Sequence, residues 1–182
     1  VLDMHPVARW MLLHLIILRF RPAKSAAAYR IVWSDKGSPL LHFGRVLEAG
    51  VQAHLGDDVP VVLAMRYGSP SLAQGLTALR DAGCERIVVM PLYPHYASSS
   101  TGSTLEAIYG MAGTLWNTPS LAVVPPFYDA PGFIDAFAQV GAPVLAEAQP
   151  DHVLFSYHGL PERQIRKSDA SGMGGHCLAS AG

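Results

Sequence analysis

Four short apolar runs, separated by segments long enough for helices, limit the folds open to this chain. The runs are Val59–Met65, Arg86–Leu92, Leu121–Val124 and His152–Ser156. Their apolar residues are consecutive rather than alternating, which is typical of strands buried on both faces. Strands that alternate with helices form parallel sheets with helices packed on each side. The sequence therefore predicts an α/β fold of the doubly wound kind.

Local signals predict where two of the intervening helices begin and end. Ser38-Pro39 supplies an N-cap and a first-turn proline, and Gly56 follows the last apolar position of that helix. A second helix is predicted to begin at Ser69-Pro70 and to end at Gly83.

Further helices are predicted over about residues 102–113 and after Pro131, the latter kinked or broken at Pro143. The apolar run Trp10–Leu18, which lies between two arginines and contains a histidine, predicts another helix, either buried or lying on the surface. It is too short to cross a bilayer, because a membrane-spanning helix needs roughly twenty apolar residues.

Composition excludes several classes of protein. Half of the 182 residues are hydrophobic and only 15% are charged, the reverse of a disordered chain. The net charge of −1 lacks the basic excess of a nucleic-acid-binding protein. Cys84 and Cys177 are too few and too far apart for a disulfide framework or a zinc site, which predicts a cytoplasmic location.

Charge is unevenly spread along the chain. Residues 1–50 contain seven basic and three acidic side chains, a net charge of +4, whereas the remaining residues carry −5. A basic N-terminal part suits an anionic small molecule or an acidic membrane surface. A solvated charged face is the alternative interpretation of the same pattern.

The segments that follow the predicted strands are rich in aromatic residues and histidine. The parallel arrangement places them at one edge of the sheet, where open α/β sheets bind ligands. They are Arg66–Ser69, Tyr93–Tyr96, Pro125–Asp129 and Tyr157–Pro161. Flat aromatic side chains with few charges suit a wide, planar and mostly apolar ligand. The motifs GxxxxGK, GxGxxG, GxSxG and HExxH are absent, which argues against nucleotide hydrolases, dinucleotide-dependent dehydrogenases, serine hydrolases and zinc proteases.

One of the eight histidines stands out by its position. His158 follows an apolar run and lies between Tyr157 and Gly159-Leu160-Pro161. A histidine placed there can accept a proton near neutral pH, or bind a metal such as Fe²⁺ through its neutral imidazole. A packing role is the alternative.

Four segments together resemble the ferrochelatases, enzymes that insert ferrous iron into protoporphyrin IX in the last step of haem synthesis. Phe155–Arg163 resembles the family's active-histidine segment. The others are Leu15–Ser25 with Tyr29 and Gly37–Leu40, then Met65–Gly68, and Pro91–Thr104. The resemblance extends from about Leu2 to Ala181. It implies a chelatase-like fold with an incomplete two-domain architecture, in which residues 1–150 form the first domain and residues 151–182 begin the second.

The resemblance also implies a role for individual residues. His158 would be the catalytic residue and the metal ligand or proton acceptor. Arg21, Tyr29 and Ser38 would bind the porphyrin propionates or line the pocket, with solvation of Arg21 and helix capping by Ser38 as the alternatives. Arg66, Tyr67, Tyr93 and Thr104 would line the macrocycle, with ordinary loop packing as the alternative. The run Trp10–Leu18 would form an apolar lip that contacts the membrane surface.

Substrates and departures from the family follow from the same resemblance. Protoporphyrin IX and Fe²⁺ are the implied substrates. The resemblance implies no prosthetic group and no oligomeric state, and it leaves the presence of an iron–sulfur cluster open.

Two features of the family have no counterpart in these residues: its first strand, and the glutamate that faces the histidine across the porphyrin. The chain is therefore expected to be an inactive ferrochelatase fragment. Two other hypotheses are a non-catalytic porphyrin- or metal-binding module of the same fold, and a related chelatase for a cobalt–corrinoid precursor.

Overall fold

The structure is a computed structural model that describes residues 5–171 and 176–179. The chain divides into two compact units, Val1–Ile87 with Ile108–Leu121, and Val88–Ala107 with Ala122–Gly182. The domain boundary predicted after residue 150 stays a prediction.

A long helical stretch forms the N-terminal part of the first unit. It consists of α1 (Pro6–Met11), a π-helical segment π1 (Leu12–Ile17) and α2 (Leu18–Val32). The helix predicted over Trp10–Leu18 is confirmed, and most of its apolar side chains are exposed, so it lies on the surface. Among the described residues, no helix is both long and apolar enough to span a membrane.

Helix α3 (Pro39–Leu55) confirms the helix predicted from Ser38-Pro39 and Gly56. Ser38 takes the N-cap position, although its hydroxyl accepts no hydrogen bond from the helix. Gly56 ends the helix with a φ of 79°, in the region that favours glycine.

The first predicted strand, Val59–Met65, does not form a strand, because the structure pairs it with no neighbouring strand. Its residues from Val61 onward are half-buried between two helices. A β-carbon at Gly44 of α3 would lie 3.0 Å from Cδ2 of Leu63, and one at Gly75 of the next helix would lie 3.0 Å from Cβ of Ala64. Helices therefore pack against both sides of this segment, as predicted, while the prediction of a strand here is wrong.

Helix α4 (Leu72–Asp81) follows, two residues later than the predicted start. Its start is fixed by a capping box: Ser71 Oγ accepts from the backbone N–H of Gln74, and the Gln74 side chain accepts from the N–H of Ser71. Leu72 and Leu76 are buried in the core of the unit. The chain leaves this helix through Gly83, whose φ is 80°.

Two parallel strands form the sheet, β1 (Arg86–Val89) and β2 (Ser120–Val123). The N–H of Ser120 donates to the carbonyl of Glu85, and that of Val124 to the carbonyl of Val89, each over 2.9 Å. The second predicted strand is thereby confirmed in shorter form, and the third is confirmed at the same length one residue earlier. The described chain is α/β with a parallel sheet.

A second π-helical segment, π2 (Ser98–Gly102), leads into α5 (Ser103–Gly113), which connects the two strands. This confirms the helix predicted over residues 102–113. Ile87 of β1 and Ile108 and Ala112 of α5 are buried, and they belong to the same unit as α4.

Helix α6 (Pro131–Ala148) runs through Pro143 without interruption. Of the two predicted outcomes at Pro143, a kink or a break, the break therefore does not occur. The proline removes one N–H that would otherwise bond to Gln139. Gln149, in the left-handed conformation with a φ of 43°, ends the helix immediately before Pro150.

The fourth predicted strand, His152–Ser156, is wrong. Residues 152–160 have no regular secondary structure and their side chains are exposed. They lead into α7 (Glu162–Ser168), and the last described element is α8 (His176–Ala179). Residues 172–175 lie outside the described residues.

Candidate functional site

The predicted site residues are shared between the two units. The first unit contains Arg21, Tyr29, Ser38, Arg66 and Tyr67, and the second contains Tyr93, Thr104 and His158. All of them lie within the part of the chain that the structure describes.

Arg66 and Tyr67 lie in a turn that a backbone hydrogen bond closes. The N–H of Met65 donates to the carbonyl of Pro70 over 2.7 Å, and Gly68 between them has a φ of 94°, where a side chain would be strained. The guanidinium carbon of Arg66 lies 4.6 Å from the centroid of the Tyr67 ring, within cation–π range. The turn therefore presents a cation and an aromatic ring side by side.

Side chains of α3 hold the segment that leads into this turn. Glu48 Oε1 accepts from the N–H of Leu63 over 2.5 Å, and Gln52 Oε1 accepts from the N–H of Val61 over 2.8 Å. Gln52 Nε2 donates to the carbonyl of Val59 over 3.1 Å. Because no strand pairs with these backbone groups, the two side chains satisfy donors that would otherwise be left without a partner.

Glu48 is charged in this setting. Burial acts to raise the pKa of its carboxyl group, but the hydrogen bond from Leu63 and the nearby Arg45 outweigh burial, so the pKa is lowered from its usual value. Arg45 Nη1 donates to Glu48 Oε2 over 2.7 Å. The hydrogen bond to the backbone is therefore charge-assisted near neutral pH.

Arg21, Tyr29 and Ser38 lie along and just after α2, and the structure shows no hydrogen bond among them. Arg21 and Tyr29 are exposed, and Ser38 is half-buried. The Tyr29 ring meets the ring of Trp33 edge to face, with 6.3 Å between their centroids. Arg21 and Tyr29 are therefore accessible, and no hydrogen bond or ring contact in the described structure links the three side chains to one another.

In the second unit, the loops that follow β1 and β2 meet. The N–H of Phe127 donates to the carbonyl of Pro94 over 3.0 Å. Next to this bond the imidazole of His95 stacks on the ring of Tyr128, with centroids 5.1 Å apart and planes 12° apart. Tyr93, two residues before His95, is half-buried. The predicted convergence of loops at the carboxyl ends of the strands is confirmed for these two.

The segment containing His158 reaches the same place. The ring of Tyr157 meets His95 edge-on, with centroids 6.3 Å apart. The sequence places His95 and Tyr128 in segments expected at the ligand-binding edge of the sheet, but it gives neither residue a role in the site. The contact between their two rings was not predicted, because it joins residues distant in sequence.

Thr104 is the only predicted site residue whose side chain is buried. It is 6% exposed, and Thr101 nearby is 5% exposed. Neither hydroxyl has a hydrogen-bond partner, although both lie around the start of α5. Buried polar groups without partners are uncommon, because each one lowers the stability of the folded state by losing its hydrogen bonds to water.

His158 itself is exposed, three residues before the N-cap of α7. Within the described part of the chain, no hydrogen bond joins residues 152–160 to any other segment. Residues 5–171 and 176–179 contain no group of three or more histidine, cysteine or carboxylate side chains that could hold a metal ion. His158 is therefore an accessible imidazole without a companion ligand set in this part of the chain.

Comparison with known proteins places this sequence in a family. The family model described as Ferrochelatase matches residues 1–172. A protein named Ferrochelatase from Coxiella burnetii (strain CbuG_Q212) is 42% identical over 168 residues, covering 92% of this chain and 46% of that protein. Another of the same name from Legionella pneumophila (strain Paris) is 40% identical over 168 residues, covering 92% of this chain and 50% of that protein. The chain thus spans about half the length of the curated relatives it matches. The family match extends over nearly all of its residues, and the chain belongs to the ferrochelatase family.

Proposed function

We propose that this protein, at its full encoded length, inserts Fe²⁺ into protoporphyrin IX to form protohaem. The observation that carries the proposal is the family match over residues 1–172, which includes every predicted site residue. Its curated relatives bear the name Ferrochelatase. Iron and porphyrin are both substrates in this reaction.

In this proposal His158 is the catalytic residue. Metal insertion requires that two pyrrole protons leave and that a metal ion reach the ring nitrogens. A neutral imidazole can accept a proton, or hold a ferrous ion through one nitrogen on its way to the ring. The exposure of His158 supports this role, because a porphyrin face must be able to reach it.

Arg21, Tyr29 and Ser38 would bind the propionates of the porphyrin. A guanidinium can donate two parallel hydrogen bonds to a carboxylate, and hydroxyl groups can complete its shell. Support comes from the exposure of Arg21 and Tyr29, and from the Ser38 hydroxyl, which is not used in capping α3.

Arg66, Tyr67, Tyr93 and Thr104 would line the macrocycle. The exposed ring of Tyr67, beside the Arg66 guanidinium, suits the face or edge of a planar ligand. Thr104 is buried in this conformation, so its side chain would have to become exposed in order to contact the macrocycle.

The exposed apolar side chains of α1, π1 and α2 would contact a membrane surface peripherally, from the cytoplasmic side. Trp10, Leu15, Leu18 and Phe20 are each about half exposed or more. They lie in the basic part of the sequence, which suits anionic lipid headgroups.

An anaerobic assay of the full-length protein tests the proposal. We expect Fe²⁺- and protoporphyrin-dependent formation of protohaem, followed by its absorbance. The variant His158→Ala is expected to lose insertion while retaining porphyrin binding, measured by fluorescence. Porphyrin binding without insertion by the unaltered protein would instead favour a non-catalytic binding module. Near-normal turnover by His158→Ala would remove this residue from the mechanism.

A further inference from the structure

One imidazole joins the loops on which the proposed site depends. His95 belongs to the loop after β1, and it stacks on Tyr128 of the loop after β2. Its other contact is the edge-to-face approach of Tyr157, one residue before His158. All four residues belong to the same compact unit.

The segment that contains His158 has little else to hold it. Residues 152–160 have no regular secondary structure, and no hydrogen bond joins them to another described segment. A side chain in such a segment samples many orientations unless a neighbour restrains its backbone. The contact between Tyr157 and His95 is a restraint of this kind, and it acts one peptide bond away from His158.

We propose that His95 is a positioning residue: its imidazole, stacked on Tyr128, holds Tyr157 and thereby orients the neighbouring His158 for metal insertion. This inference rests on the proposed function. Adjacent Cα atoms are only about 3.8 Å apart, so restraining Tyr157 also limits how far the backbone of His158 can move.

The geometry assigns this role to the ring of His95 rather than to its nitrogen atoms. Its contacts with Tyr128 and Tyr157 are ring contacts, one nearly parallel at 12° and one nearly perpendicular at 83°. These are the two arrangements that aromatic pairs prefer. The described residues offer no cluster of metal ligands with which the imidazole of His95 could bind an ion.

Two substitutions in the full-length protein separate the ring from the nitrogens. His95→Ala removes both, whereas His95→Phe keeps a flat ring that can stack on Tyr128 and meet Tyr157. We expect His95→Ala to lower kcat about tenfold or more with little change in KM for porphyrin, because small misplacements of a catalytic group slow the chemical step strongly. His95→Phe is expected to recover most of that loss.

A matched control is available in the first unit. His42 also contacts an aromatic ring, that of Phe43, with centroids 5.2 Å apart, and it is not among the proposed site residues. We expect His42→Ala to leave kcat unchanged. Tyr157→Ala should reproduce the loss seen in His95→Ala, and the double variant should be no worse than either single one.

A second readout does not depend on activity. Chymotrypsin cleaves after tyrosine, and we expect cleavage after Tyr157 to be several-fold faster in His95→Ala and restored to its original rate in His95→Phe. If the unaltered protein shows no chelatase activity, the proposed function fails, and this cleavage assay still decides whether His95 restrains Tyr157.

Three results would overturn the inference. Unchanged kcat in His95→Ala would show that the ring support is not needed. Equal loss in His95→Phe and His95→Ala would show that a nitrogen atom is required and that His95 acts chemically. Unchanged cleavage after Tyr157 in His95→Ala would show that the contact does not restrain the segment.

Discussion

The hydrogen bond from the Leu63 N–H to the Glu48 carboxylate allows a quantitative test of how the Arg66 turn is supported. The change is Glu48→Ala, which removes the 2.5 Å bond to the backbone and the 2.7 Å bond from Arg45. Nothing else in the described structure takes over the Leu63 N–H, because this segment pairs with no strand.

The loss of local stability in Glu48→Ala can be estimated from how exposed each of the two bonds is to solvent. A hydrogen bond to a charged group contributes roughly 1.5–3 kcal/mol, and the Glu48 side chain is only 19% exposed, so little water can replace it. The Arg45 side chain is 51% exposed, so its ion pair adds at most a few tenths of a kcal/mol. We expect a local loss of about 2 kcal/mol, equivalent to roughly 30-fold in an opening equilibrium.

Amide hydrogen exchange measures this loss where it occurs. In the full-length protein, the Leu63 amide is expected to exchange about 30-fold faster in Glu48→Ala, and about fivefold faster in Glu48→Gln, which retains a neutral acceptor. Glu147→Ala is the matched control: Glu147 is an exposed helical glutamate of α6. It should leave the exchange of Leu63 unchanged.

The same bond makes the effect depend on pH. The pKa of Glu48 is lowered on folding, so its charged form stabilises the folded state above the carboxyl group's ordinary pKa, near pH 4. That stabilisation is lost as the pH falls through the lower pKa of the folded state. The difference between the unaltered protein and Glu48→Gln, measured at equal pH, should therefore shrink as the solution becomes acidic. A difference that stays constant, or an unaffected Leu63 amide in Glu48→Ala, would refute the reasoning.

Three further predictions concern the proposed site. Arg21→Ala should raise KM for porphyrin with little change in kcat, because a propionate contact is made equally before and during insertion; steady-state kinetics giving a lower kcat at unchanged KM would contradict this. Thr104→Val should leave the free energy of unfolding unchanged or raise it by about 1 kcal/mol, because the Thr104 hydroxyl has no hydrogen-bond partner to lose. Thermal unfolding measures this change, and a clear fall in Tm would show that the hydroxyl does form a hydrogen bond. Replacing Trp10 and Phe20 together by serine should weaken flotation with anionic lipid vesicles; equal flotation would exclude this surface.

The sequence predicts the helices well because their signals are local. The first-turn proline at position 39 and the glycine at position 56 act within one turn of the helix that they bound. Pro143 is the exception. A proline within a helix removes one backbone hydrogen bond and its ring crowds the carbonyl of the preceding turn. The remaining residues of α6 nevertheless keep the chain helical across Pro143.

Strands are harder to predict, because a strand exists only where another strand pairs with it. The runs Val59–Met65 and Arg86–Leu92 look alike in sequence, yet only the second finds a partner. In the first, side chains of α3 bond to the backbone in place of a neighbouring strand. The apolar composition of such a run predicts that other elements will bury it. Which groups bond to its backbone depends on residues distant in sequence, and these are not evident from the run itself.

The same distinction applies to the site. Position after a predicted strand singled out His158 and the Arg66-Tyr67 pair, although neither preceding run forms a strand in the structure. The stack of His95 on Tyr128 joins residues more than thirty positions apart, and no spacing rule predicts which rings will meet. Sequence reasoning therefore found the chemical groups and missed the residue that links their loops.

The two parts of the proposed site differ in how they are held, and this predicts where substitutions will matter. The Arg66 turn is closed by a backbone hydrogen bond and follows a segment fixed by α3. Several changes would each loosen it only in part. The segment with His158 has a ring contact and no hydrogen bond to another described segment. Its geometry depends on few groups, so substitutions at His95 or Tyr157 should alter the chemical step more than changes of similar size around Arg66.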